Sequence, residues 1–351
     1  MEIEQEVASK LRCLLKRLST ENQYRCAAGI PGPILELRSG SLPGRSVFFN
    51  GLRDFAPLVG HVAGLDVERI RKQAKEISDD YSLAAVLCKY RSLTFDFRSR
   101  LTLLTDYIGA LVHRLGGLSI SSNRSNSIRE VSFRVRDKNC YILYPADIVS
   151  LGLIWEVFGQ EVYYIKTASE RIYDFGANIG LSAVYFHLLN PSAELICIEP
   201  MEENIRLLKQ NLAKNGVRSQ IIQAVAGNKE GRTTLFYGGQ SHALPSLHTK
   251  QPCSREITMM PFDQIVSGKG YGLKIDIEGA EGLLSQYPQI VENAAWIKGE
   301  LHYSGDNEQD SRVDSFLALM QSKFSVTKSR PIVYFVGEEL LLCESFTAFN
   351  K

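Results

Sequence analysis

The sequence predicts an α/β protein, with a mostly parallel sheet covered by helices on both faces and a helical domain in front of it. Three observations predict it. From Arg171 onward, short apolar strand-like runs alternate with helical segments, the pattern of parallel strands joined by crossover helices. Ile172–Leu181 reads as a strand, a glycine turn and a helix start in direct succession. Residues 1–120 show helical spacing without that alternation. At roughly 150 residues per domain, a chain of 351 residues fits two domains. We place them at 1–120, as a helical cap, and at 128–351, as the Rossmann-like domain.

In the first domain, Ile3, Val7, Leu11, Leu14, Leu15 and Leu18 lie on one face of a helix over Glu2–Leu18. Pro31, Pro33 and Pro43 make Gly29–Gly44 a loop. Asp66–Leu87 reads as a helix with Asp66 as its N-cap, and Leu101–Leu115 as another. The polar run Ser119–Ser127 marks the boundary. Beyond it, Val131–Arg136 alternates strictly and is followed, after Asp137-Lys138-Asn139, by Cys140–Tyr144, which predicts a hairpin. Asp147–Phe158 is a short helix. Strands are expected at Arg171–Phe175, Glu194–Ile198, Gln220–Val225, Gly272–Ile277 and Trp296–Leu301. Helices are expected at Gly180–Leu189, Met201–Asn215 and Gly279–Tyr287, with short strands at Phe324–Thr327 and Ile332–Val336. Gly238–Glu256 is a long polar loop in which Ser241, His242 and Ser246 are candidate acceptor contacts.

The chemistry concentrates at strand ends. In Asp174-Phe-Gly176-Ala-Asn178-Ile-Gly180, Gly176 lets the backbone turn tightly and Gly180 allows close approach. The helix that follows offers free N–H groups and a positive dipole end. A nicotinamide fingerprint needs glycine at 178 and a small residue at 181, but Asn178 and Leu181 stand there. No Lys-Ser/Thr pair follows the turn, so it is not a P-loop. Glu199 ends the next strand, nineteen residues beyond Gly180. A carboxylate at that place can accept both ribose hydroxyls of a nucleoside. Asp276, Glu278 and Glu281 cluster at and beyond a later strand end. By strand alternation Asp276 and Glu278 share a face, and Glu281 complements the dipole of the next helix. Glu300 and His302 share a face of the fifth strand, and an imidazole there titrates in the range a general base needs.

These residues resemble the FkbM-type methyltransferases. The resemblance rests on Asp174–Gly180, on Glu199-Pro200 with Asn204 after it, and above all on Lys274-Ile-Asp276-Ile-Glu278-Gly-Ala-Glu281. It extends to Phe158–Tyr164 and to Glu300-Leu-His302, and covers roughly residues 130 to 345. It implies a class I methyltransferase sheet with one reversed strand near the C-terminus, using S-adenosyl-L-methionine. It further implies that Asp174 and the Gly176–Asn178–Gly180 turn face the methionine half and that Glu199 takes the ribose. Ala224 and Val225 then lie at the adenine edge, Asn204 and Asp276 line the donor site, and Tyr163 and Tyr164 wall it. His302, with Glu278 and Glu300, is the expected catalytic group. The acceptor it points to is a hydroxyl of a small secondary metabolite or a sugar. An amine or guanidinium is the alternative, since clustered carboxylates hold a cation equally well. A nucleoside-binding protein without turnover is the other alternative. Asp276, Glu278, Glu300 and His302 also offer donors that suit Mg2+, but no ligand spacing demands a metal.

Composition narrows the class further. Forty Lys and Arg against thirty-nine Asp and Glu leave a formal charge of +1, without the basic excess that nucleic acid requires. Seven dispersed cysteines without a C-x-x-C pair give no zinc knuckle and fit a reducing compartment. The N-terminus lacks the features of a signal peptide, and Leu101–Leu118 is too polar to span a bilayer. The expectation is a cytoplasmic enzyme with a small-molecule partner, its first 120 residues choosing the acceptor or forming a homodimer contact.

Overall fold

The computed structural model describes residues 35–36, 116–120, 128–145, 150, 153–238, 245–247, 251–329, 332–336 and 339–350. The helices expected at 2–18, 66–87 and 101–115 lie outside the described residues. So does the loop at 29–44, apart from a two-residue strand at Leu35–Glu36. The chain divides into two compact units. The larger comprises Ile108–Leu301, Ser311–Lys328 and Ser345–Lys351, and the smaller Met1–Tyr107, His302–Asp310 and Ser329–Glu344.

The larger unit opens with an antiparallel sheet of β1 (Gly116–Ile120), β2 (Ile128–Val135) and β3 (Lys138–Pro145). The hairpin is as expected. Val131, Phe133 and Val135 are buried while Arg134 and Arg136 are exposed, so alternation sorts its two faces. The helix expected to end at Phe158 closes instead as a π-helical turn, Trp155–Gly159, whose i→i+5 bond runs from Gln160 N–H to Trp155 O at 2.9 Å.

The central sheet follows. β4 (Arg171–Phe175), α1 (Leu181–Leu189), β5 (Glu194–Ile198), α2 (Glu202–Lys214) and β6 (Ser219–Ile222) form two crossover units. Next come β7 (Val225–Gly227), β8 (Gly231–Tyr237), β9 (Cys253–Pro261) and α3 (Phe262–Ile265). β10 (Tyr271–Ile275), α4 (Pro288–Asn293), β11 (Ala294–Tyr303), α5 (Asn307–Lys323), β12 (Phe324–Lys328), β13 (Ile332–Val336) and β14 (Glu339–Asn350) complete the chain. The strand order is β6-β5-β4-β10-β11-β14, and the four pairings from β6 to β11 are all parallel. Antiparallel pairing enters with β14, which pairs with β12 through Phe346–Asn350. In the smaller unit, Glu339–Cys343 of the same strand pairs antiparallel with β13. The result is a mixed, mostly parallel sheet, as the sequence predicts.

Two boundaries differ from expectation for a packing reason. The third parallel strand ends at Ile222, and Val225 begins β7, part of a separate sheet ordered β7-β9-β8. Val225 packs there with Met201, Leu235, Ile257 and Met259, a satellite core that draws the chain out of the main sheet. Cys253–Glu256, read as loop, pairs with Thr234–Tyr237.

The main core explains the composition of α1. Leu181–Phe186 and Leu188 are all buried, so this helix is apolar on every side. On one side Phe186 meets Trp296 of β11 at 5.9 Å between ring centroids. On the other, Tyr185 meets Phe158, which meets Phe133 of β2. The hairpin sheet is fastened to α2 by two asparagines one turn apart. Asn215 Oδ1 and Nδ2 bond the Tyr141 N–H and carbonyl at 3.0 and 2.7 Å, and Asn211 does the same for Leu143 at 2.6 and 2.9 Å. These side chains satisfy the free edge of β3 as a neighbouring strand would. Asn211 Nδ2 also donates to Ile179 O at 2.8 Å, inside the glycine turn.

Candidate active site

Asp174 is the penultimate residue of β4 and is fully buried. It accepts a 2.6 Å hydrogen bond from Ser182 Oγ and lies 3.3 Å from Lys274 Nζ. The turn after it contains three residues with left-handed backbone, Gly176 (φ 77°), Asn178 (φ 48°) and Gly180 (φ 89°). Gly176 is required twice over, because a Cβ there would also meet the Asp276 carbonyl oxygen at 1.9 Å. Asparagine tolerates this region better than most residues. The Asn178 N–H donates to Glu199 Oε2 at 2.9 Å.

Glu199 is buried just beyond β5. Its Oε1 accepts from the Met201 N–H at 2.9 Å and from Asn204 Nδ2 at 3.1 Å. Burial pushes its carboxyl up to about 7, against the pull of those hydrogen bonds. Ala224 is buried between β6 and β7.

The acidic motif after β10 is built differently from the sequence expectation. The strand ends at Ile275, and Glu278 (φ 52°) and Gly279 (φ 99°) turn left-handed. Strand alternation therefore does not place Asp276 and Glu278. Glu281 begins a 3₁₀ turn, Glu281–Gln286, where an α-helix was expected. Its buried carboxylate accepts from the Ile277 N–H at 3.1 Å and the Gly279 N–H at 3.0 Å. It holds the loop in shape, which is more than dipole complementation. Ser246 Oγ donates to the Glu278 carbonyl at 3.0 Å. Ser241 and His242 lie outside the described residues.

Asp276 accepts from Tyr163 Oη at 3.0 Å and faces Lys274 at 3.6 Å. Burial, then the Asp276 charge, holds the Tyr163 phenol well above its ordinary range. Tyr164 is turned elsewhere: it is exposed, with the Arg136 guanidinium 4.7 Å above its ring. Of the two tyrosines, Tyr163 joins the carboxylates. Burial alone would lower the Lys274 pKa, but Asp174 and Asp276 outweigh it and leave it raised.

Glu300 accepts from Ser345 Oγ at 3.2 Å. It also hydrogen-bonds a residue the sequence reading missed, Glu156 of the π-turn. Burial, then the charges of Glu300 and Asp276, hold the Glu156 carboxyl well above the usual range. The available signal was an acid inside an apolar run, Ile154–Phe158, directly before the Phe158–Tyr164 motif. His302, two residues beyond Glu300 on β11, is buried.

The glycine turn, Glu199 and the acidic loop thus sit at the C-terminal ends of adjacent parallel strands, where open α/β sheets bind ligands. Residues 174–321 match the model of the methyltransferase FkbM domain. That match, over somewhat less than half of the chain, supports S-adenosylmethionine-dependent methyltransferase activity. No curated protein matches the chain. Among solved structures, P. horikoshii TYW2 in complex with MeSAdo is 12% identical, with 65% of this chain and 73% of that one covered and a TM-score of 0.33. Precorrin-6y C5,15-methyltransferase from Geobacter metallireducens is 9% identical, with 55% and 84% covered and a TM-score of 0.31. Nothing about substrate passes to this chain from likeness at that level. Among the described residues, no helix is long and apolar enough to cross a membrane.

Proposed function

We propose that this methyltransferase acts on the hydroxyl oxygen of a small metabolite or sugar. The observation that supports this best is the Glu156–Glu300 carboxyl pair, in which burial and neighbouring charge raise the proton affinity of Glu156. A carboxylate held above its ordinary range accepts a hydroxyl proton better at neutral pH than a free one does. His302, buried on β11, is the candidate base.

S-adenosylmethionine supplies a methyl group already activated by a positively charged sulfur. The residues present suit it. Glu199 is an acceptor for the ribose hydroxyls, the Gly176–Gly180 turn brings backbone close to the ligand, and Ala224 leaves room at the base. Asp276 places negative charge beside a cation. Asp174 is enclosed by Ser182 and Lys274 and acts through them. What remains for the protein is alignment of the acceptor oxygen, mainly a positioning effect, together with removal of its proton.

The neighbouring acids favour a second reading, methylation of an amine or guanidinium, because Asp276, Glu278 and Glu300 together attract a cation. Incubating the purified full chain with donor and separate pools of hydroxylated and cationic small molecules decides between them. A mass gain of one methylene on a neutral hydroxyl compound is the expected result. Methylation confined to the cationic pool overturns the oxygen reading. Donor binding with no product from either pool overturns both.

A further inference from the structure

We propose that Lys274 is a positioning residue for the methyl donor, its ammonium clasping the glycine turn after β4 to the acidic loop after β10. This rests on the donor reading above. Lys274 is the penultimate residue of β10, its side chain buried to 2% exposure. Nζ donates to the carbonyls of Phe175 at 3.1 Å and Gly176 at 2.7 Å, and pairs with Asp174 at 3.3 Å and Asp276 at 3.6 Å.

The backbone of the turn is therefore gripped from both sides. The N–H groups of Gly176 and Ala177 both go to Ile198 O of β5, at 3.0 Å each. The carbonyls on either side of the bend go to Lys274. Phe175 O also receives the Asp276 N–H at 3.2 Å. The absence of a Cβ at Gly176 lets the two loops touch through backbone. With so little slack, the lysine fixes both loops together. Burying an ammonium is costly even when it is paired. An apolar residue would fill the same strand position, as Leu273 and Ile275 do on either side of it. A charge at this position is best explained by what it holds, namely the backbone of the glycine turn and, across from it, the Asp276 side chain.

The test is calorimetric titration of S-adenosylmethionine into the full chain and its Lys274→Met, Asp174→Asn, Lys274→Met/Asp174→Asn and Lys274→Arg variants, with melting followed in parallel. Lys274→Met takes the shared cation from the buried Asp174 and the half-buried Asp276, so it is expected to melt lower. The double variant removes one of them and is expected to recover stability. A structural role would then let donor affinity recover as well. A positioning role predicts that the double variant still binds donor about tenfold or more weakly than Asp174→Asn alone. Lys274→Arg keeps the charge but brings a larger planar head to a site with little slack, and is expected to weaken donor binding by more than its fall in melting accounts for. Double-variant affinity within about twofold of Asp174→Asn, with Lys274→Arg binding normally, overturns the proposal. An unmodified chain that binds no donor overturns the donor reading and this inference with it.

Discussion

Glu199 gathers three donors on two carboxylate oxygens and still carries a raised proton affinity. Those donors orient the carboxylate, and its ionised form is the better acceptor for sugar hydroxyls. Replacing it with alanine removes one or two charge-assisted hydrogen bonds to the donor, an expected loss of about 2–4 kcal/mol in donor binding by calorimetry. Glu199→Gln keeps the shape and is expected to lose less. Unchanged affinity in the alanine variant would mean that the ribose lies elsewhere. For His302 the expectation is the reverse split. His302→Ala should lower turnover about 100-fold while donor affinity stays where it was. Normal turnover would remove it as the base. Single residues were only partly legible in the sequence. Glu199 and Asn204 could be found from their distance to the glycine turn. Glu156 showed only as an acid inside an apolar run, because its chemistry comes from a partner 144 positions away on β11. The choice of Tyr163 over Tyr164 depended on which of two adjacent residues the chain turned inward.

At the scale of elements, strands read well wherever both of their faces are buried. Arg171–Phe175 and Glu194–Ile198 appear with the limits their apolar runs suggest. Reading failed where long-range packing overrode local pattern. Val225 left the third strand for the satellite core, and the run after Ile275 became a left-handed turn organised by Glu281. The glycine turn is the element most sensitive to a single atom. Gly176→Ala meets both a positive φ and the Asp276 carbonyl, so the variant is expected to lose donor binding and to melt several degrees lower. Full donor affinity in that variant would show that the turn yields at no cost. Asn211 ties the same turn to the hairpin edge. Asn211→Ala leaves the Leu143 N–H and carbonyl and the Ile179 carbonyl without their side-chain partner, an expected cost of about 2–3 kcal/mol in denaturant unfolding. A loss below about 0.5 kcal/mol would mean that water replaces all three bonds.

Across the whole molecule, the buried carboxyls link stability, pH and donor. Glu199 has a folded value of about 7 against an ordinary 4.5, so the folded chain holds a proton that the unfolded chain releases. The resulting stabilisation is fully present below pH 4.5 and is lost as pH rises through about 7. The difference is about 3 kcal/mol for this group. Glu156, raised for similar reasons, acts in the same direction. With Glu199 as the proposed ribose acceptor, donor binding is expected to run the opposite way, because hydroxyl donors favour the ionised carboxylate. Free of ligand, the protein is therefore expected to become less stable between pH 5 and about 7.5, while donor affinity rises from pH 6 to about 8 with release of a proton. Chemical denaturation across that range, with and without S-adenosylmethionine, reads both slopes, and Glu199→Gln should flatten each. If the glutamine variant follows the unmodified chain at every pH, the proton is held by another group and Glu199 is already ionised before the donor arrives.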